Sequence, residues 1–304
     1  MPVTSSPALH EQKHNTMVNL LIAFLRLCAR WPLPWVRAWG WGLGGLLWHV
    51  ARSRRHIVEV NLQKTMPELS AAERQALAYR HFIAFGQSVM DRAWLWHAPE
   101  SLVRQRLRWV GDLQALTAPG PLVMLAPHFV GLDAGGMAVS LDVPGPVAFI
   151  FVGQSRPAIE QWVRQGRERS GNVRPYFRHQ GMRQILSGIK KGEPLHLSPD
   201  MDFGREESIF VPFMGVDKAA TLPSLSRLSK VAGARVVPVV TRMTAQGYDI
   251  EIHPALADFP SADAVQDTAR MNRLLGDWVR TMPEQYYWVH RRFKTRPEGE
   301  PGFY

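Results

Sequence analysis

Between Leu125 and Gly136 the chain reads LAPHFVGLDAGG, with His128 and Asp133 five positions apart. A neutral imidazole can take a proton from a hydroxyl when a carboxylate holds its other ring nitrogen in the right tautomer. Five positions is too long a reach on an extended strand and less well aligned than i, i+4 on a helix. The pair meets only where the chain curls between the two residues, and Gly131 permits such a curl. The spacing alone fits a core histidine equally well. Metal chemistry has weaker support, because there is no His-Glu-x-x-His and the single cysteine, Cys28, excludes a Cys-based zinc site.

A second stretch, SPDMDFG (198–204), carries Asp200 and Asp202. An Asp-x-Asp pair suits a divalent cation on a nucleotide-sugar enzyme, or it caps a turn. The apolar, proline-punctuated IFVPFMG (209–215) that follows suits a groove for a hydrocarbon chain. Between the two acidic motifs stand Arg164, Arg167, Arg169, Arg174, Arg178 and Arg183. Most charge runs are solvated helix faces, but arginine forks match phosphate geometry.

These residues need elements to position them. PLVMLA (121–126), VAFIFV (147–152), PLHLSP (194–199), RVVPVV (235–240) and YDIEIHP (248–254) read as short strands. They alternate with helical stretches at about 132–140, 157–170, 180–191, 219–232 and 263–282. Near-continuous apolar runs fit strands covered on both faces, so the expected fold is α/β, with a largely parallel central sheet flanked by helices. His128 and Asp200 each follow a strand, where open α/β sheets bind their ligands. Upstream, Ser70 and Glu73 form a capping box that opens a helix closed by Pro99.

The 304 residues carry a formal net charge of +10, with 46% hydrophobic residues. That excludes a disordered chain and favours anionic partners: a nucleic acid, an anionic bilayer, or an acidic or phosphorylated partner. No helix-turn-helix, zinc finger or RNA-binding signature supports nucleic acid. Residues 1–16 are polar, and disorder is expected there. Residues 17–60 are distinct: five of the eleven tryptophans fall between Trp31 and Trp48, among Arg26, Arg30, Arg37, Pro32 and Pro34. A spanning helix wants about 20 mostly apolar residues. Here a helical hairpin on or in the bilayer is expected, with Arg52, Arg54 and Arg55 placed for lipid phosphates. The alternative is a helical pair packed on the core. Residues 61–304 are expected to form the catalytic domain.

The order of these pieces resembles one family. His-x4-Asp after a strand is followed by GRERS (166–170), SPDMDFG, FVPFMG and PEQYYWVHRRFKTRPEG (283–299). The chain is similar from about Met17 to Tyr304 to the late acyltransferases of lipid A biosynthesis, within the glycerolipid acyltransferase-like superfamily. Asp133 stands where many lipid A members carry glutamate. The resemblance implies His128 as general base, Asp133 as its orienter, and Arg167 and Asp200 as activity-linked residues, with Arg169 and Asp202 supporting substrate binding. It implies an acyl chain arriving on acyl carrier protein, no cofactor, and a 3-hydroxyacyl hydroxyl on a Kdo-bearing lipid A precursor as acceptor, at the cytoplasmic face of the inner membrane. A lysophospholipid or ornithine-type lipid is the alternative acceptor. A metal-dependent glycosyltransferase using Asp200 and Asp202, and a basic docking module without activity, are the rival classes.

Overall fold

The computed structural model describes residues 7–151, 153, 157–177 and 182–304. Four helices lead: α1 (Pro7–Cys28), α2 (Leu33–Val50), α3 (Arg52–Thr65) and α4 (Ala71–His97). Helix α1 begins well before Met17, so part of the stretch expected to be disordered is helical. Ala8, Leu9, Glu11, Gln12 and Lys13 are good helix formers with no internal glycine or proline to stop them. Proline 32 breaks the chain before α2, as its fixed φ and missing N–H require. Helix α4 opens on the expected box: Ser70 Oγ accepts from Glu73 N at 3.3 Å, and the Glu73 carboxylate accepts from Ser70 N at 2.8 Å.

The α/β part then runs α5 (Glu100–Gln105), β1 (Leu107–Val110), α6 (Gln114–Thr117), β2 (Leu122–Leu125), α7 (Leu132–Asp142), β3 (Val147–Phe151), α8 (Pro157–Glu168), β4 (Val173–Phe177), α9 (Met182–Lys190) and β5 (Leu195–Leu197). It continues with β6 (Ile209–Phe213), β7 (Val216–Thr221), α10 (Ser224–Ala232), β8 (Arg235–Thr244), β9 (Gly247–Ile252), α11 (Ala264–Thr281) and a 3-10 turn at Pro283–Gln285. The seven-stranded sheet has the order β1-β9-β8-β2-β5-β3-β4. Strands β8, β2, β5, β3 and β4 are mutually parallel; β9 pairs antiparallel with β8 and parallel with β1. All five strands read from the sequence are present, and Val152 at the end of one lies outside the described residues.

Two expectations change. The helix expected over 219–232 starts at Ser224, because Ala219–Thr221 complete the β6–β7 hairpin. In that hairpin Val211 and Phe213 are buried, with Phe213 against Tyr286 and Phe293, so IFVPFMG serves the core at these positions.

Helix α2 packs on α4 at very short range. A Cβ at Gly40 would lie 2.4 Å from Gln87 Cα, one at Gly44 2.4 Å from Phe82 O, and one at Gly86 2.4 Å from Gly40 O. Val36 and Trp48 bury the same side of α2, and Arg37 reaches through to buried Asp91. Trp35 and Trp39 on the other side, and Trp41 at the flank of the buried stripe, are more than half exposed. No helix among the described residues is long and apolar enough to cross a membrane.

Candidate active site

Strands β2 and β5 are parallel neighbours, with Leu125 opposite Leu197. His128 and Asp200 each stand three residues beyond their member of that pair, at the carboxyl edge of the sheet. Pro127 stops β2, and Ala126 N donates to Leu197 O at 2.8 Å, so the two loops leave the sheet together. The outcome is a direct bond: His128 Nδ1 lies 2.7 Å from Asp200 Oδ1, and His128 N donates to Asp200 Oδ2 at 3.0 Å. Asp200 is buried. Burial pushes its acid up, but the adjacent His128 and Arg292 outweigh this and hold it below the usual carboxylate range. An ionised carboxylate at Nδ1 makes that nitrogen the N–H donor and leaves Nε2 its lone pair. The His128 side chain is partly exposed, so the ring has a buried end and an open one.

The C-terminal string frames this loop. Val130 N donates to Gln285 O at 2.8 Å, Tyr287 N donates to His128 O at 2.9 Å, and Phe129 bridges Tyr286. Asn61 of α3 holds the string from behind, donating to Trp288 O and His290 O at 2.8 Å each. Arg292, fully buried, donates to Ala220 O and Thr221 Oγ1. Tyr286 is buried beside Asp200, and burial drives its hydroxyl well above the ordinary range, keeping it neutral.

Asp133 does not serve His128 in this arrangement. Its Oδ2 accepts from Arg92 Nε at 3.0 Å and Nη2 at 2.7 Å, while its Oδ1 accepts from Arg167 Nε at 2.9 Å. Burial raises its acid, but Arg167 and Arg92 more than reverse this and hold it far below the usual range. The physical reason is the helix. Asp133 lies in the first turn of α7, facing α4 and α8, whereas the His128 ring turns toward β5. Gly131 also acts differently from expectation: its φ of −83° suits any residue. What it supplies is room, since a Cβ there would lie 2.8 Å from Thr241 Cγ2 and 2.9 Å from Tyr248 Cδ1.

Of the arginine run, Arg167 is the member that reaches Asp133. Gly166 helps to make this possible: any Cβ there would strike the Trp96 indole at 2.2 Å, so glycine lets α8 lie close against α4 at this point. Arg169 caps α4, donating to Leu95 O at 2.8 Å and Ala98 O at 2.6 Å. Arg164 pairs with Glu168 and Arg174 with Glu193. Arg183 is exposed, and Arg178 lies outside the described residues. Asp202 is likewise structural: its carboxylate accepts from Thr295 Oγ1 and Thr295 N at 2.8 Å and from Gly204 N at 3.0 Å. Asp200 and Asp202 thus hold different protein partners.

Several site residues carried no sequence signal. Arg92 is one of many arginines on a helix. His196, on β5 opposite Met124, is buried against Phe149; burial, then Arg167 and His128, lower it to about 3, so it is neutral. Tyr287 tilts against the His128 ring at 6.3 Å.

An α/β sheet with a histidine–carboxylate pair at the carboxyl edge of parallel strands, beside an arginine-clamped acid, has the parts of a general-base transferase. The chain belongs to the bacterial lipid A biosynthesis acyltransferases, whose family model matches residues 7–295, and so is an O-acyltransferase. It is 30% identical to the lipid A biosynthesis lauroyltransferase of Escherichia coli K12 over 100% of this chain and 99% of that one. It is 31% identical to the palmitoleoyltransferase of the same organism over 93% and 92%, and 30% identical to the myristoyltransferase over 85% and 80%. Among solved structures, the 1-acyl-sn-glycerophosphate acyltransferase PlsC of Thermotoga maritima superposes over 91% of this chain and 99% of that chain, with 11% identity and a TM-score of 0.39.

Proposed function

We propose that the protein moves a fatty acyl chain from an acyl carrier protein thioester to the hydroxyl of a 3-hydroxyacyl chain on a Kdo-bearing lipid A precursor. The observation that supports this chemistry best is the His128–Asp200 pair, which leaves Nε2 as the open base. His128 Nε2 removes the hydroxyl proton as the oxygen attacks the thioester carbonyl carbon. The tetrahedral intermediate collapses, the C–S bond breaks, and the departing thiolate takes the proton back from His128. Ester and free thiol result, and no acyl-enzyme or cofactor enters. Asp200 orients the ring and stabilises the transient imidazolium. Asp133 acts at one remove, fixing Arg167 and Arg92.

The acceptor is anionic and amphiphilic, and the protein matches both properties. Its net charge is +10, and α2 exposes Trp35, Trp39 and Trp41, with Arg30 before it and Arg52 after it. Indoles at a lipid–water boundary bury their rings and keep their N–H wet. The protein therefore sits on an anionic leaflet, the cytoplasmic face of the inner membrane, through α1 and α2. Mass spectrometry of lipid A from cells with and without the gene tests the function. Loss of one secondary acyl chain is expected; unchanged lipid A with an altered phospholipid or ornithine-lipid profile would move the activity to another acceptor.

A further inference from the structure

One carboxylate, Asp133, is held by two guanidiniums, and the two are not equivalent. Arg92 is fully spent: Nε and Nη2 bind Asp133 Oδ2, and Nη1 reaches Ser88 O at 3.4 Å. Both guanidiniums lie over a ring at 5.3 Å, Arg92 over Trp96 and Arg167 over Phe151, so the difference between them is in their hydrogen bonds. Arg167 binds Asp133 Oδ1 through Nε and Nη2, and its Nη1 makes no hydrogen bond among the described residues. Arg167 is also the more exposed of the two. Trp96 links them, since the indole under Arg92 is the one that seats Gly166, next to Arg167.

Charge gives the arrangement its meaning. A structural ion pair needs one arginine. Two arginines against one carboxylate leave an extra positive charge partly withdrawn from water, which is costly unless an anion completes it. We propose that Arg92 is a positioning residue of the acyl-transfer site: it carries the counter-charge of Asp133, so that Arg167 keeps its Nη1 edge for an anionic group of the lipid acceptor. Without Arg92, Asp133 claims Arg167 entirely and the anion loses its partner. The inference rests on the acyl-transfer reading above.

The test compares wild type with Arg92→Ala and Arg92→Lys in acyl transfer from acyl carrier protein to a lipid A precursor, with thermal unfolding of each. Arg92→Ala is expected to raise KM for the anionic acceptor at least tenfold, with a smaller change in kcat. Arg92→Lys, and guanidinium ion added to Arg92→Ala, are expected to recover part of the loss. A merely structural role would lower Tm and the active fraction while leaving acceptor KM unchanged, and that result overturns the proposal alone. If Arg92→Ala does not fold, Arg92→Gln, which also removes the charge, takes its place, and a wild-type acceptor KM in that variant overturns the proposal. A wild-type enzyme inert with both substrates overturns the functional reading and this proposal with it.

Discussion

His128 and Asp200 are joined twice, once through the ring at 2.7 Å and once through the backbone N–H at 3.0 Å. The carboxylate therefore fixes both the rotation of the imidazole and the position of its Cα. Asp133, five residues from His128 in sequence, belongs to a different ion cluster. The two acids hold different partners: Asp200 the His128 imidazole, Asp133 the Arg92 and Arg167 guanidiniums.

This division separates the effects of two substitutions. Asp133→Asn strips the counter-charge from Arg92 and Arg167, both partly exposed, and is expected to cost about 2–4 kcal/mol of stability. Its kinetic effect is expected mainly in acceptor KM, because His128 keeps its orienter. Denaturant unfolding and steady-state kinetics of the variant check both; an unchanged KM with a collapsed kcat would return Asp133 to the histidine.

The seat of α7 is equally specific. A Cβ at Gly135 would lie 2.1 Å from Thr241 Oγ1. Gly135→Ala is expected to destabilise by about 1–3 kcal/mol through overpacking and to lower activity by shifting the helix that carries Asp133. Thr241→Ala in the same chain should relieve part of it. Equal stability of the single and double variants would refute the clash.

Acid should weaken the fold before the carboxylates titrate. Burial lowers His81 to about 4 and His196 to about 3, and burial followed by the charge of Arg292 lowers His290 to about 4, from an ordinary value of 6.5. The unfolded chain binds protons that these residues refuse in the fold, so stability is full above pH 6.5 and falls as pH drops toward 4. Each histidine contributes up to about 1.4 kcal/mol per pH unit in that window. Asp133 and Asp200, held below their ordinary range, add a further loss only below about pH 3.8. Tm measured from pH 7.5 to 5 should fall, and His81→Gln should make the slope shallower; parallel slopes would contradict this.

The aromatic side of α2 can be tested without touching the site. Trp35→Ser and Trp41→Ser together, with Trp39 left in place because it packs edge-on against Phe24 at 5.3 Å, are expected to reduce binding to anionic vesicles at least tenfold with Tm nearly unchanged, since these two rings are more than half exposed. Arg54 and Arg55 are poorer probes, because Arg54 donates to Val289 O and Arg55 lies over Trp48. Undiminished vesicle binding would remove α2 as the contact.

Local signals were readable along the chain. The Ser70–Glu73 box, the buried strands β2, β3, β5, β8 and β9, and His128 just past a strand all rest on short-range chemistry. Strands β1 and β4 lacked a clear apolar run: LRWV carries Arg108, and VRPYF carries Arg174 and Pro175 at the sheet's outer edge. The partner of His128 was out of reach for a different reason. It depends on the register of β2 against β5, which joins residues 72 positions apart. The same holds for Arg92, whose meaning appears only when α4 crosses the first turn of α7.

The most direct measurement is single-turnover acyl transfer by folded Asp200→Asn and His128→Ala proteins beside wild type. Asparagine at 200 keeps the shape but removes the charge that stabilises an imidazolium, so a rate loss of about 10²–10⁴ is expected, approaching that of His128→Ala. Wild-type turnover in Asp200→Asn, with Asp133→Asn inactive at saturating acceptor, would contradict the assignment of Asp200 as the residue that makes His128 a base.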